Sequence, residues 1–310
     1  MKQYVIIGGG VAGVSCIEGI RSRDPAGRIT LISEEPVSNY GRPLISYYLE
    51  GKTDLSRMSY RGQDFYERNR VNALHGIRAE RLLPEKRQVL LSDGSALLYD
   101  ELCLCTGSVP FVPPMRGLER VGKKFSFLTL SDAQALKQAV MPESRVLILG
   151  GGLIGLKAAE GLHGRAKEIT VCDLAPHVLS SILQTDSAAL VEAHLEQNGI
   201  ALRLGKTVEE FTEHTARLTG GETVEFDVLV LAVGVRPNTV LLREAGGAAE
   251  RSIVTDPAMK TSLPHVYAAG DCTGPYLIFP HAAMQGLCAG RNMAGGTERF
   301  LSDVPMNSIG

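Results

Sequence analysis

A short apolar run that breaks on three glycines near the N-terminus constrains this chain more than any other feature. Tyr4 to Ile7 supplies the run, Gly8-Gly9-Gly10-Val11-Ala12-Gly13 follows, and Val14-Ser15-Cys16-Ile17 continues with helical spacing. This is Gly-x-Gly-x-x-Gly between a buried strand and a helix start, the context in which a βαβ unit cradles the pyrophosphate of a dinucleotide. Gly8 permits the turn, Gly10 lets a phosphate approach the backbone, and Gly13 lets the helix pack closely on the strand. The helix N-terminus adds N–H donors and the positive end of the helix dipole.

The pattern recurs. Arg145 to Leu149 runs into Gly150-Gly151-Gly152-Leu153-Ile154-Gly155, again strand, turn and helix. Two complete units predict two dinucleotide sites and an α/β chain of two Rossmann-like domains, each with a parallel central sheet. Alternating segments from Ala73 to Leu98, with turns at Pro84-Glu85-Lys86 and Asp93-Gly94, add an antiparallel β insertion. Both second strands end on acids: Arg28 to Ser33 on Glu34-Glu35, and Glu168 to Cys172 on Asp173, which lies 23 positions after Gly150. A carboxylate there accepts ribose hydroxyls of the bound nucleotide. Asp173 also repels a 2′-phosphate, and Leu174-Ala175-Pro176-His177 brings no arginine to offset it. The second site therefore favours NADH over NADPH, with His177 the one group able to compensate in part.

A chain of 310 residues, 44% hydrophobic and carrying a net charge of −2, suits two globular domains. That charge gives no footing for nucleic acid or for a membrane surface, and no apolar run reaches the ~18 residues of a membrane span. The first strand is under way by Tyr4, which leaves no room for a signal peptide. The six cysteines show neither C-x-x-C nor C-x4-C nor a metal-ligand spacing, and Cys103 and Cys105 alternate on one strand face as buried packing. A cytoplasmic protein without a metal is expected. Pro110, Pro113, Pro114 and Gly117 mark one chain crossing and Ala245 to Ala249 a second, which puts the first domain at 1–112 and 250–310 and the other at 113–249.

The two glycine turns, Cys105-Thr106-Gly107, Ala232-Val233-Gly234-Val235-Arg236-Pro237-Asn238 and Ala268-Ala269-Gly270-Asp271 stand in an order that resembles the FAD-dependent pyridine nucleotide-disulfide oxidoreductase family, from Tyr4 to about Asn292. The resemblance implies FAD at the first turn and NADH at the second. It assigns FAD contacts to Gly8, Gly10, Ala12, Gly13, Glu34, Glu35, Arg42, Ala79, Thr106, Gly107, Gly270, Asp271 and His281, the last near the start of a helix aimed at the flavin ring. NADH contacts fall on Gly150, Gly152, Ile154, Gly155, Asp173, Val233 and Gly234.

Tyr40 to Ser46 is similar to the branch that reduces small electron carriers: rubredoxin and ferredoxin reductases, the FAD part of assimilatory nitrite reductase, and apoptosis-inducing factor. Disulfide-reducing members place redox cysteines at positions where this chain has none, so flavin chemistry without a catalytic side chain is expected. Two departures stand out: Tyr47 where carrier reductases often have Lys, and Lys157 where they have Glu, which makes Lys157 a candidate nicotinamide contact. Branch members continue beyond a segment like Val304-Pro305-Met306-Asn307 into a third domain that serves as the interface, so the stop at Gly310 reads as a truncation or a natural short form, and its place in a strand-like run rather than at a capped helix favours truncation. The expected function is NADH oxidation through FAD with delivery of electrons to a rubredoxin-like or ferredoxin-like carrier or a nitrite reductase component. An NADH oxidase using oxygen, and a redox-responsive binding module with slow turnover, are the alternatives.

Overall fold

The computed structural model describes residues 1–37, 39–274 and 277–301. The strand-like run at 304–307 and the chain end therefore lie outside the described residues. Among them, the chain opens with β1 (Gln3–Ile7), α1 (Val11–Arg21) and β2 (Arg28–Ser33), then α2 (Ile45–Glu50), α3 (Phe65–Arg68) and β3 (Val71–His75). Next come β4 (Ala79–Leu83), β5 (Gln88–Leu91), β6 (Ala96–Leu98), β7 (Glu101–Leu104) and β8 (Ser108–Pro110). The middle of the chain holds β9 (Lys124–Ser126), α4 (Leu130–Ala139), β10 (Arg145–Leu149), α5 (Leu153–Leu162), β11 (Glu168–Asp173), α6 (Thr185–Gln197) and β12 (Ile200–Leu204). It continues with β13 (Val208–Phe211), β14 (Thr215–Leu218), β15 (Thr223–Glu225), β16 (Val228–Leu231) and β17 (Val235–Pro237), and closes with α7 (Val240–Glu244), β18 (Val266–Ala268) and α8 (Phe279–Met293).

Two compact units result: Met1–Gly41 with Ser59–Val109 and Arg236–Gly310, and Arg42–Met58 with Pro110–Val235. The chain thus returns to the first unit at Arg236, earlier than the Ala245–Ala249 stretch, and α7 belongs there because it packs on β4. The segment Arg42–Met58 groups with the second unit. There α2 packs on α5, and Gly161 makes this possible: a Cβ on it would lie 2.9 Å from the Ser46 carbonyl oxygen.

Each unit is built on a five-stranded parallel sheet, ordered β18-β7-β1-β2-β3 in the first and β12-β11-β10-β16-β9 in the second. The outermost strand next to the β7 or β16 position comes last in the first unit (β18) and first in the second (β9). Strands buried on both faces read as unbroken apolar runs, and Val5, Ile6, Leu147 and Ile148 are at most 2% exposed. The alternation after Ala73 is antiparallel only from β4 to β6; β3 pairs in parallel with β2 as the edge of the main sheet. No residue of Val71–His75 is fully buried, as the edge position of β3 leaves it.

Helices α1 and α8 meet backbone to backbone. A Cβ on Gly286 would lie 2.1 Å from the Ala12 carbonyl oxygen, and one on Gly290 2.1 Å from that of Cys16. Only glycine allows that approach, so the helix that opens at the first glycine turn and the last helix of the unit form one rigid layer. No helix among the described residues is long and apolar enough to cross a membrane.

Candidate cofactor sites

The first glycine turn is fixed by the strands beside it. Gly8 (φ +117°) donates its N–H to Ile32 (2.8 Å), and a Cβ there would stand 2.0 Å from the Cys105 carbonyl oxygen at the end of β7. Gly13 is pressed against Gly8 in turn, its would-be Cβ 2.0 Å from the Gly8 oxygen. Gly10 differs: it has an extended backbone (φ −77°, ψ −171°), and a Cβ on it would meet nothing within 4 Å. No side chain caps α1 above it, so the first N–H groups of the helix point outward unblocked.

The second turn repeats this arrangement. Gly150 (φ +111°) donates to Cys172 (2.8 Å) and sits 2.2 Å, by its would-be Cβ, from the Ala232 carbonyl oxygen. Gly155 abuts the Gly150 oxygen at 1.9 Å, while Gly152 again faces nothing within 4 Å and α5 again lacks a side-chain cap. In both turns, then, glycine is forced at the first and third positions by protein. At the second it is open toward a helix N-terminus, the surface a pyrophosphate needs. The residues present fit a dinucleotide in each unit.

Around the first turn, Gly270 (φ +86°) brings the loop after β18 against α1, its would-be Cβ 2.9 Å from the Ala12 Cβ. Asp271 follows and accepts a hydrogen bond from Ser108 Oγ (3.1 Å). Buried Gln285 on α8 steadies this loop, its Oε1 accepting from the Gly270 N–H (2.9 Å) and Thr273 Oγ1 (3.1 Å). Thr106 Oγ1 donates to the Asn238 carbonyl (2.7 Å), whose N–H in turn donates to Gly107 (2.9 Å). His281 is buried in the first turn of α8 with its ring edge-on to Phe300. Neither Ser108 nor Gln285 carries a motif; their roles come from loops that meet only in the fold.

Glu34 and Glu35 lie one and two residues past β2, Glu34 exposed and Glu35 half-buried with Tyr40 Oη donating to it. The position matching Asp173 by register is Ser33, because Ile7 pairs with Ile32 as Leu149 pairs with Cys172. Ala79 begins β4 just after Ile77, whose N–H donates to Ser33 (3.1 Å). Arg42 opens the segment that belongs to the second unit.

In that second unit, Asp173 turns back onto the glycine loop, accepting from the Gly151 N–H and from the Ala175 N–H (2.7 Å). Each carboxylate oxygen keeps a further lone pair for a ribose hydroxyl. Ile154 is the second residue of α5, and Gly234 (φ +119°) ends the loop after β16, its carbonyl accepting from the Phe111 N–H (2.9 Å). Val233, between Ala232 and Gly234, packs beside the core under β16. Lys157 sits one turn into α5, where its Nζ donates to Glu160 (2.8 Å) and lies 5.3 Å from the centre of the Tyr47 ring. Tyr47 and Lys157 thus form a cation–π contact across α2 and α5.

All six cysteines are reduced and buried. Cys103 on β7 and Cys105 just past its end hold their sulfurs 3.5 Å apart. The hydrogen bond with Cys103 and burial raise the Cys105 thiol well above its ordinary range, and burial pushes Cys272 up to about 12. Thiolate, the form that attacks a disulfide, is suppressed at both.

The model of the pyridine nucleotide-disulphide oxidoreductase family matches residues 2–286, and the chain belongs to this family of FAD- and NAD(P)H-dependent oxidoreductases. Nitrite reductase [NAD(P)H] of Bacillus subtilis is 35% identical over 277 residues, 87% of this chain but 34% of that one. The epsilon subunit of NADH-dependent phenylglyoxylate dehydrogenase of Aromatoleum evansii is 31% identical over 99% of this chain and 76% of its own length. Among solved structures, the covalent putidaredoxin reductase–putidaredoxin complex superposes with a TM-score of 0.87 at 27% identity, covering 96% of this chain and 76% of that one. The chain thus spans about a third of the nitrite reductase and about three quarters of the other two.

Proposed function

We propose that this protein oxidises NADH and hands the electrons, by way of FAD, to a small electron-carrier protein or an attached redox domain. The observation that carries the reading is the doubled turn, with glycine forced by protein at its first and third positions and open toward a helix N-terminus at its second. The first unit holds FAD, with Gly8, Gly10, Ala12 and Gly13 at the pyrophosphate, Glu34 or Glu35 at a ribose, and Asp271 and His281 further along the cofactor. Ala79, Thr106, Gly107 and Gly270 shape the loops beside it. The second unit holds NADH through Gly150, Gly152, Ile154, Gly155, Asp173, Val233 and Gly234.

When bound there, FAD would supply the redox chemistry of the reaction, hydride acceptance from NADH and onward release of the electrons. The protein's share is placement: two helix N-termini neutralise phosphate charge, and Asp173 selects the nucleotide without a 2′-phosphate. Nothing in this scheme calls for a thiol, and the raised cysteine pKa values agree with that. Six reduced cysteines also fit a reducing compartment such as the cytoplasm. The complex of putidaredoxin reductase with putidaredoxin supports a carrier protein as acceptor, and the name of nitrite reductase [NAD(P)H] supports NAD(P)H as the electron source.

The reading is tested by purifying the protein, recording its flavin spectrum, and screening rubredoxin, ferredoxin, quinone and oxygen as acceptors under NADH. Fast turnover with a carrier protein is expected. Oxygen as the one efficient acceptor would make the protein an NADH oxidase instead, and slow turnover with every acceptor would favour a redox-responsive binding role.

A further inference from the structure

The fold brings to the second site two cations that residue order does not announce. The stretch from Leu174 to Leu183 holds no arginine or lysine, but β12 runs beside β11 with Arg203 paired to Cys172 and Leu204 to Asp173. Past the strand, Gly205 (φ +65°) turns the chain and donates its N–H to the Ala175 carbonyl (2.9 Å), and the Lys206 N–H donates to the Asp173 carbonyl (3.0 Å). Lys206 therefore stands beside Asp173 on the carboxyl edge of the parallel sheet, the edge where such sheets receive their ligands.

Both cations are occupied. Glu222, in the turn between β14 and β15, accepts from Arg203 Nε with one carboxylate oxygen and from Lys206 Nζ with the other. That turn is fixed beside the end of β12, because the Thr219 N–H donates to the Thr207 carbonyl (2.9 Å) and Thr219 Oγ1 accepts from the Thr207 N–H (3.2 Å). The three charged side chains stay about a third exposed, 36% for each cation and 32% for the carboxylate. They act on the same surroundings as the ribose acid: burial, then the charges of Asp173 and Glu222, push the Cys172 thiol up to about 11, while Lys206 and Arg203 oppose the rise. With Glu222 present the two carboxylates and two cations cancel, and without it one positive charge is left over beside Asp173.

We propose that Glu222 is a specificity-determining residue of the NADH site: it holds Lys206 away from the ribose, so that a 2′-phosphate beside Asp173 finds no free cation. The inference rests on the second turn being the nicotinamide-nucleotide site. Asp173 repels the phosphate directly, and Glu222 withholds the partner that would offset the repulsion. Once released, the Lys206 ammonium is a compact charge on a flexible four-carbon stem, well suited to a phosphate. Arg203 lies within β12, opposite Cys172, and serves to anchor Glu222.

The test uses the holoprotein, with its flavin site filled, and two ligands that differ only in the 2′-phosphate and carry no nicotinamide: ADP-ribose and 2′-phospho-ADP-ribose. Affinities are measured by isothermal titration calorimetry. Glu222→Gln, which keeps the size and removes the charge, should tighten the phosphorylated ligand roughly fivefold, the upper scale of a solvent-exposed ion pair, and leave ADP-ribose unchanged. Glu222→Ala serves if the glutamine variant does not fold. Adding Lys206→Met should abolish the gain. Unchanged affinity for the phosphorylated ligand, equal tightening of both ligands, or a gain that survives Lys206→Met would each overturn the proposal. ADP-ribose that fails to bind the parent would remove the reading of the second turn, and the proposal with it.

Discussion

Substituting Gly10 by alanine separates the fold from the cofactor, because the structure makes opposite demands on the two. Gly10 has φ −77° and ψ −171°, which alanine adopts without strain, and its new methyl would meet no protein atom within 4 Å. The apoprotein should therefore gain about 0.4–1 kcal/mol from the stiffer unfolded chain, a rise in Tm of about 1–4 °C for a unit of this size. The same methyl would stand at the mouth of the α1 N-terminus, where the pyrophosphate has to come closest to backbone. FAD affinity should fall at least tenfold, or about 1.4 kcal/mol. Gly8→Ala is the contrasting case: its Cβ would lie 2.0 Å from the Cys105 oxygen at φ +117°, so the fold itself should lose about 1–3 kcal/mol or more. Thermal unfolding of the stripped protein and a FAD titration read by fluorescence quenching measure the two effects. An unaltered FAD affinity in Gly10→Ala, or a destabilised apoprotein, would refute the reasoning.

Gly286→Ala should lower the Tm, since overpacking of about 1–3 kcal/mol against the Ala12 backbone outweighs a helix-propensity gain of about 1 kcal/mol; a stabilised variant in a thermal melt would contradict the backbone contact. Asp173→Ser combined with Leu174→Arg should move the ratio of kcat/KM values toward NADPH by roughly 10- to 100-fold, as expected when a like charge worth about 1–3 kcal/mol is removed; an unmoved ratio would detach Asp173 from the 2′-position. Serine at Cys103, Cys105 or Cys272 should leave NADH-dependent flavin reduction intact while costing about 1–3 kcal/mol in a denaturant titration, and lost reduction with FAD still bound would restore a thiol role. Lys157→Glu sets a carboxylate beside Glu160 and takes the ammonium off the Tyr47 ring, so flavin reduction at saturating NADH should change rate at constant FAD content; an unchanged stopped-flow rate would confine Lys157 to joining α2 and α5.

Both turns could be read directly from residue order because their chemistry is local. Glycine spacing, the apolar strand before it and the helix after it all lie within a dozen residues. The resident acid at Asp173 was legible for the same reason. What escaped a linear reading depends on chain segments that meet only in the fold. Gln285 serves the Gly270 loop across α8, and Ser108 reaches Asp271 from a distant strand end. The left-handed conformations of Asn39 and Leu179 leave no trace in composition, and it is their pairing with Gly9 and Gly151 that sets them side by side. The chain returns to the first unit at Arg236 and not in the small-residue run Ala245–Ala249, whose composition resembles a linker, because α7 is held by its packing on β4. Gly286 and Gly290 stood in view at helical spacing, but only the position of α1 shows what they are for.

The central claim is that NADH reduces FAD with no thiol relay between nucleotide and acceptor. An anaerobic titration of the purified yellow protein with NADH, followed at the flavin absorbance band, tests it most directly. The account predicts complete bleaching at one NADH per FAD, and rapid recovery of the band when an oxidised carrier protein is added. A second equivalent of NADH consumed before the endpoint would reveal a reducible cysteine pair. That result, or a flavin that NADH does not bleach, would contradict the account.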